Sequence, residues 1–140
     1  MLNYKITKGK NDFKDIEFIR QTVFIDEQKF IDEFDDTDNT AYHVVGYKSD
    51  KPIVCARFFC DGNNEYHIGR IAVLKEFRGR GLGSEIVEFC EHEIKKLGGK
   101  SVSLSAQLRS SDFYKKMNFN TTGEVYMDEH VEHIKMIKEL

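Results

Sequence analysis

Tryptophan is absent from the sequence, proline occurs once, at Pro52, and cysteine only three times in 140 residues. The single proline and the lack of any Gly-, Ser- or Pro-rich tract exclude collagen-like, low-complexity and linker-rich chains. Cys55, Cys60 and Cys90 are odd in number and lack metal-ligand spacing, so they read as free thiols rather than a disulfide framework. That usage fits an intracellular chain. No apolar run approaches the roughly 20 residues of a membrane helix. The opening Met1-Leu2-Asn3-Tyr4-Lys5 also lacks the apolar stretch of a signal peptide. The cytoplasm is the expected compartment, with no membrane partner. Basic excess is missing as well: 21 Lys and Arg face 24 Asp and Glu, a formal charge of −3. Proteins dedicated to nucleic acid carry a basic footprint, so no nucleic-acid partner is expected. A local anion site stays compatible with this balance.

What is present is an ordinary globular composition, 40% hydrophobic and 32% charged. At this length folding buries roughly two thirds of the chain's surface, so no metal or disulfide staple is needed. Residues 1–140 therefore read as one domain. Alternation marks strands at 2–7, 42–47, 53–60, 65–73, 101–106 and 131–137, with a turn and strand over 118–126. Asn11 or Asp12 is placed to cap a helix in which Phe13, Ile16, Ile19, Val23 and Phe24 recur at helical spacing. A second helix carries Leu82, Ile86, Val87, Cys90, Ile94 and Leu97 on one face and stops at Gly98-Gly99. A short third helix covers 110–117. The order β-α-β-β-β-α-β-α-β-β predicts an α/β fold, a mixed central sheet flanked by helices on both faces.

Between the strand ending Ile71-Ala72-Val73 and the second helix lies Arg78-Gly79-Arg80-Gly81-Leu82-Gly83-Ser84. Glycines permit positive φ and close backbone approach. A helix start presents unpaired N–H groups and a positive dipole end to phosphate, and Arg78 and Arg80 add cationic donors. A tight strand-to-helix turn without ligand is the bland alternative. A Walker loop is excluded because no Lys-Ser/Thr follows the glycines, and a dinucleotide fingerprint because they are spaced two and two. What fits is the pattern Arg/Gln-x-x-Gly-x-Gly/Ala, here Arg78-x-x-Gly81-x-Gly83. With this loop and this element order, the chain resembles the GCN5-related N-acetyltransferases (GNAT) over nearly its whole length. Within that superfamily it looks most like the ElaA/YjcF-like branch. The closer likeness rests on Val23-Phe24-Ile25-Asp26-Glu27-Gln28, His43, Arg70-Ile71-Ala72-Val73 and Ala106-Gln107. It rests equally on Phe113-Tyr114-Lys115-Lys116, Gly123-Glu124 and His133-Ile134-Lys135-Met136.

The resemblance implies a GNAT fold and acetyl-coenzyme A as co-substrate, with no metal. The loop from Gly79 through Arg80, Gly81, Leu82 and Gly83 to Ser84, entered from Arg78, would cradle the pyrophosphate. The segment Ile71-Ala72-Val73 would pair with the pantetheine arm like an added strand, through the backbone of Ile71 and Val73. In the family this strand splays from the one carrying Leu104, and the Ile71 amide polarises the thioester carbonyl. Gln107 would hydrogen-bond the pantetheine or the substrate. The implied reaction is direct attack of a primary amine, from a small-molecule acceptor, on the thioester. A non-catalytic acyl-coenzyme A sensor or scaffold is the alternative, as is a longer acyl chain. A homodimer through an edge strand is compatible with the family.

Acyl transfer to an amine needs a base for the ammonium and an acid for the leaving thiol. Tyr114 matches the family tyrosine that points at the coenzyme sulfur and is the candidate acid. His67, four residues before Ile71, is the candidate base, with Glu124 and Glu27 as competitors and ordered water as a further option. Glu27, Arg57 and Arg70 are candidate substrate-binding residues. The two arginines fall on central strands and need acidic partners, from Glu27, Glu124 or the acidic loop, so a structural ion pair is an equal reading. Asp32-Glu33-Phe34-Asp35-Asp36-Thr37-Asp38 lacks the glycine and terminal Glu of a calcium loop. It reads as a solvated loop or as an acidic rim for a cationic acceptor. Asn118 replaces the glycine usual before Phe119 and is expected to take its left-handed conformation.

Overall fold

In the computed structural model, which describes residues 2–140, period-2 segments become seven strands of one sheet. They are β1 (Asn3–Lys8), β2 (Tyr42–Lys48), β3 (Lys51–Gly62), β4 (Glu65–Val73), β5 (Ser101–Gln107), β6 (Asn120–Asp128) and β7 (Val131–Glu139). Their spatial order is β1-β2-β3-β4-β5-β7-β6. The β4–β5 pair is parallel and every other pair antiparallel, as the mixed sheet required. The parallel pair follows from the crossover through α2 (Leu82–Lys96).

Helices cover both faces. α1 (Lys14–Arg20) lies over the face carrying His43 and Arg57, where Phe13 meets the His43 ring edge-on. α2 lies over the opposite face, with Phe89 stacked on Tyr4 and Ile86, Val87, Cys90 and Ile94 buried. α2 ends at Gly98, whose φ of 90° is the left-handed stop expected there. α3 (Ser111–Lys115) is shorter than the expected 110–117, its first turn being 3-10 helix at Leu108–Ser110. Asn118 has φ 72°, the conformation foreseen for it. β6 forms the sheet edge and is exposed along its length.

Two expectations need correction. The first helix is not capped by Asn11 or Asp12; Phe13 holds the cap position without a side-chain bond. Asp12 turns away at φ 59° and pairs with Lys5. α1 then continues as a π-helical turn, Gln21–Glu27, which keeps Val23 and Phe24 buried.

The second correction concerns the acidic run. It is not a solvated loop: Glu33 is 4% and Asp38 0% exposed. Residues Asp36–Asn39 form a 3-10 turn, closed by a reciprocal capping box between Asp35 and Asp38. Three arginines hold these carboxylates. Arg20 donates to Glu33 at 2.8 Å and Asp38 at 2.7 Å. Arg57 donates to Asp35 at 2.7 Å and Asp38 at 2.8 Å. Arg70 reaches the Glu33 carboxylate at 3.0 Å and Asp35 at 3.2 Å. Each buried charge is thereby paired, the condition under which it is tolerated. Arg57, a candidate for substrate binding, is 6% exposed and committed to ion pairs with Asp35 and Asp38, in line with the structural alternative.

Candidate functional site

β4 and β5 pair only from Glu65↔Ser101 to His67↔Ser103. Beyond that point β4 runs on to Val73 and β5 to Gln107 without pairing, so the sheet forks. β4 makes the fork by a bulge. Its register against β3 steps from Arg57↔Gly69 to Cys55↔Ala72, one residue more on β4 than on β3. Arg70, within the bulge, has φ 52°. Its guanidinium donates twice to the Glu33 carbonyl, at 3.2 and 3.0 Å, besides its carboxylate contacts. These contacts hold a non-glycine residue in a conformation that L side chains disfavour. Past the bulge, Leu74 N–H bonds to Ile53 on β3. Alternation then aims the N–H groups of Val73 and Ile71 at the open side of the fork, and buried Ala72 at β3.

At one end of the fork stands the glycine loop. Gly79 and Gly81 have φ 76° and 77°, the freedom for which glycine is required. Gly81 caps α2, and Gly83 sits against the Phe113 ring, 3.4 Å from where a Cβ would lie. Among the described residues, no backbone acceptor meets the amides from Gly79 to Ser84, so the helix start is a free anion site. The Ser84 hydroxyl donates to the Gly81 carbonyl. Arg80 lies over the Phe77 ring with only a long bond, 3.5 Å, to the Glu76 carbonyl. Arg78 differs from expectation. It grips both oxygens of Glu27 at 2.6 and 2.7 Å and donates to the Val73 carbonyl at 2.9 Å. That bond holds the Glu27 carboxyl below its ordinary range, which makes it a poor base. Glu27 therefore sits with Arg78 at the loop end of the fork and is not among the residues lining the cleft at the other end.

At the other end lies a cleft of about 330 Å³. His67, Gly69, Arg70 and Ile71 of β4, Ser105 and Gln107 of β5, and His133 of β7 form one wall. Phe24, Gln28, Phe30, Asp32 and Glu33 face them from the α1 side. Asp128, at the end of β6, and Glu129, in the turn to β7, stand at the mouth. Arg109, Ser110 and Tyr114 line the end nearest α3. Glu129 accepts from the amides of Ile31 and Asp32 at 2.7 and 2.9 Å, and His130 meets the Gln28 carbonyl at 2.8 Å, so turn and loop are clasped together. Gln107 donates to the Gln28 side chain at 2.8 Å, across the cleft from β5.

The expected proton carriers fare differently. Tyr114 is 9% exposed between Phe113 and Phe119, and burial pushes its hydroxyl up to about 12. It stays protonated at neutral pH, as an acid must. His67 lines the cleft with Nδ1 3.2 Å from the Ser103 hydroxyl. Burial lowers its pKa to about 4, which weakens it as a base at neutral pH. Glu124 is corrected: it sits exposed on β6, where the register against β7 breaks between Thr122 and Tyr126, and does not reach the cleft. The acidic rim shrinks to Asp32 and Asp128, because Glu33 is committed to arginines and Glu129 to amides. His133, part of a segment that carries the resemblance, and Arg109 also line the cleft, although the sequence assigns neither a role. Strand alternation sets His133 on the face of exposed Lys135 and Ile137, opposite buried Ile134 and Met136, so nothing local marks it as a cleft residue. Among the described residues no metal-ligating cluster forms, and no helix is long and apolar enough to cross a membrane.

Comparison with known proteins agrees with this geometry. The family described as "Acetyltransferase (GNAT) domain" matches residues 11–140. The uncharacterized N-acetyltransferase YjcF of Bacillus subtilis is 31% identical over 138 residues, covering 96% of this chain and 97% of that one. The crystal structure of Escherichia coli ElaA superposes with a TM-score of 0.88 at 26% identity, over 99% of this chain and all of that one. A Bacillus subtilis acetyltransferase solved in complex with CoA shares the fold at 14% identity, with a TM-score of 0.74 over 100% and 99% of the two chains. With the forked sheet, the glycine loop and a family match over nearly its full length, the chain belongs to the GNAT acetyltransferases and is an acyltransferase.

Proposed function

We propose that residues 1–140 form one catalytic domain that transfers an acetyl group from acetyl-coenzyme A to a primary amine of a small molecule by direct attack. The fork between β4 and β5 carries this reading, because it joins a helix start with open N–H groups to a cleft. The site suits a pantetheine arm ending in a pyrophosphate. The amides from Gly79 to Ser84 and the Arg80 guanidinium suit the phosphates, and the open N–H groups of Val73 and Ile71 suit the arm. The coenzyme supplies the activated thioester. Ile71 N–H stabilises the negative charge that develops on the thioester oxygen. Tyr114 O–H gives a proton to the departing thiolate. Asp32 and Asp128, which meet no cationic side chain among the described residues, draw an ammonium group to the mouth.

The test is thiol release from acetyl-coenzyme A with a panel of small primary amines and lysine peptides. Exposed Cys60 contributes a fixed background. Sustained release with small amines is the expected result. Tight coenzyme binding without turnover on any amine or peptide sinks the reading in favour of a sensor. Faster release from longer acyl-coenzyme A revises the donor.

A further inference from the structure

We propose that His133 is the general base of the reaction, taking a proton from the acceptor ammonium at Nε2; the proposal rests on the acetyl-transfer reading above. His133 is 6% exposed and lines the cleft. Its Nδ1 lies 2.9 Å from the Val131 carbonyl. A carbonyl oxygen only accepts, so Nδ1 carries the hydrogen, and the neutral ring keeps its lone pair on Nε2. Among the described residues Nε2 has no hydrogen-bond partner. The Val131 bond thus fixes the tautomer and leaves the Nε2 lone pair, on a side chain that lines the cleft, free to accept from a ligand N–H.

The ring is held for this task. It stacks on Tyr126 at 6.0 Å and meets Phe30 edge-on at 6.3 Å. Tyr126 is itself hydrogen-bonded to Ser105. The β5–β7 register sets His133 opposite Gln107. Both side chains lie on the α1 side of the sheet, and Tyr114 approaches from α3, so the base acts at the amine and the acid at the sulfur.

The other groups around the cleft are less suited. Glu33 and Glu129 are saturated by arginines and amides. Arg70 is bound to Glu33 and Asp35. His67, on β4, is held deprotonated by burial down to about pH 4. From β6, Tyr126 faces the ring as a neutral phenol. The charged and titratable groups that face the cleft from its rim are Asp32, Asp128 and Arg109, with His130 bonded to the Gln28 carbonyl. The proton account balances. The ammonium loses two protons in becoming an amide; one passes through His133 Nε2 to water. The other reaches solvent as the C–N bond forms and the C–S bond breaks, while Tyr114 protonates the thiolate and recovers a proton from solvent.

The experiment compares wild type, His133→Asn and His133→Gln on the best amine of the panel. Asn keeps a donor near the Val131 carbonyl but removes the Nε2 lone pair. His133→Asn is expected to lower kcat about 100-fold with the acetyl-coenzyme A Kd unchanged. The acidic limb of the kcat/KM profile should vanish, whereas His67→Gln keeps that limb whatever its plateau. Imidazole should restore rate to His133→Ala. Wild-type rate with the limb intact in His133→Asn overturns the proposal. So does loss of coenzyme binding in both the Asn and Gln variants, which marks a structural role. No thiol release by wild type removes the acetyl-transfer reading, and the base with it.

Discussion

Tyr114→Phe removes one oxygen from a ring packed between Phe113 and Phe119. Packing is conserved, so the variant isolates the hydroxyl. The free thiol has a pKa near 8.5 and leaves more easily when protonated in the transition state. With its own proton held to about 12, Tyr114 supplies that proton without adding an alkaline limb of its own below about pH 10. Tyr114→Phe is therefore expected to lower kcat roughly 10- to 100-fold, with KM for acetyl-coenzyme A within about twofold. Steady-state kinetics across the neutral range check it; an unchanged kcat assigns the thiolate proton to water. At this scale the sequence was informative where chemistry is written locally. The glycines and the tyrosine announce themselves by neighbours a few residues away. The segments holding Gln107 and His133 carry the family resemblance, but the cleft that joins the two residues is assembled from β5, β7 and the loop after α1, which no local pattern shows.

The element that matters most is the second half of β4. As a sequence, Glu65 to Val73 reads as an unbroken strand, and its boundaries were legible from alternation alone. The bulge was not legible. Arg70 has no intrinsic preference for φ 52°, and only contacts to Glu33 and Asp35, 37 and 35 residues earlier, keep it there. The π-helical turn was hidden for a related reason: its Val23 and Phe24 satisfy helical spacing whichever ladder closes the turn. The bulge also sets the direction of the Ile71 amide, one residue on. Arg70→Ala should therefore let that amide drift and reduce kcat about 10-fold or more, since losing one oxyanion donor costs about 100-fold or more. Arg70→Lys should recover little, because one ammonium cannot bridge a carbonyl and two carboxylates as a planar fork does. Side-chain change at Ile71, such as Ile71→Val, should leave kcat near wild type. An Arg70→Ala enzyme with full kcat would separate the bulge from the chemistry.

Across the whole molecule, one charge network ties α1, the loop after it, β3 and β4 together. Composition pointed the other way, since a run so rich in Asp reads as solvated when its arginines lie 13 to 37 residues off. The network gives the fold an acid weakness whose sign is determined. Burial works against the Asp38 carboxylate, yet hydrogen bonds and charges from Arg20 and Arg57 outweigh it and bring the pKa to about 2. Asp35 is lowered in the same way, against burial, by Arg57 and Arg70. A lowered folded pKa means stability that is present above the unfolded value near 4 and lost as pH falls toward the folded one. Burial raises Glu33 instead; its protonation favours the fold at low pH, so within the network Asp35 and Asp38 carry the loss. Asp38 alone accounts for about 2 kcal/mol, a sizeable share of the roughly 5–15 kcal/mol of an ordinary domain. Urea unfolding should show stability falling from about pH 6.5, as the unfolded chain takes protons that buried His43 and His67 refuse, with the Asp35 and Asp38 loss adding to it below about pH 5. Asp38→Asn leaves Arg20 and Arg57 short of a buried partner, so it should be less stable by about 3–5 kcal/mol at neutral pH and less steep in acid. If that variant does not fold, Asp35→Asn should show the same flattening on a smaller scale. Parallel slopes for wild type and variant would place the acid sensitivity elsewhere in the chain.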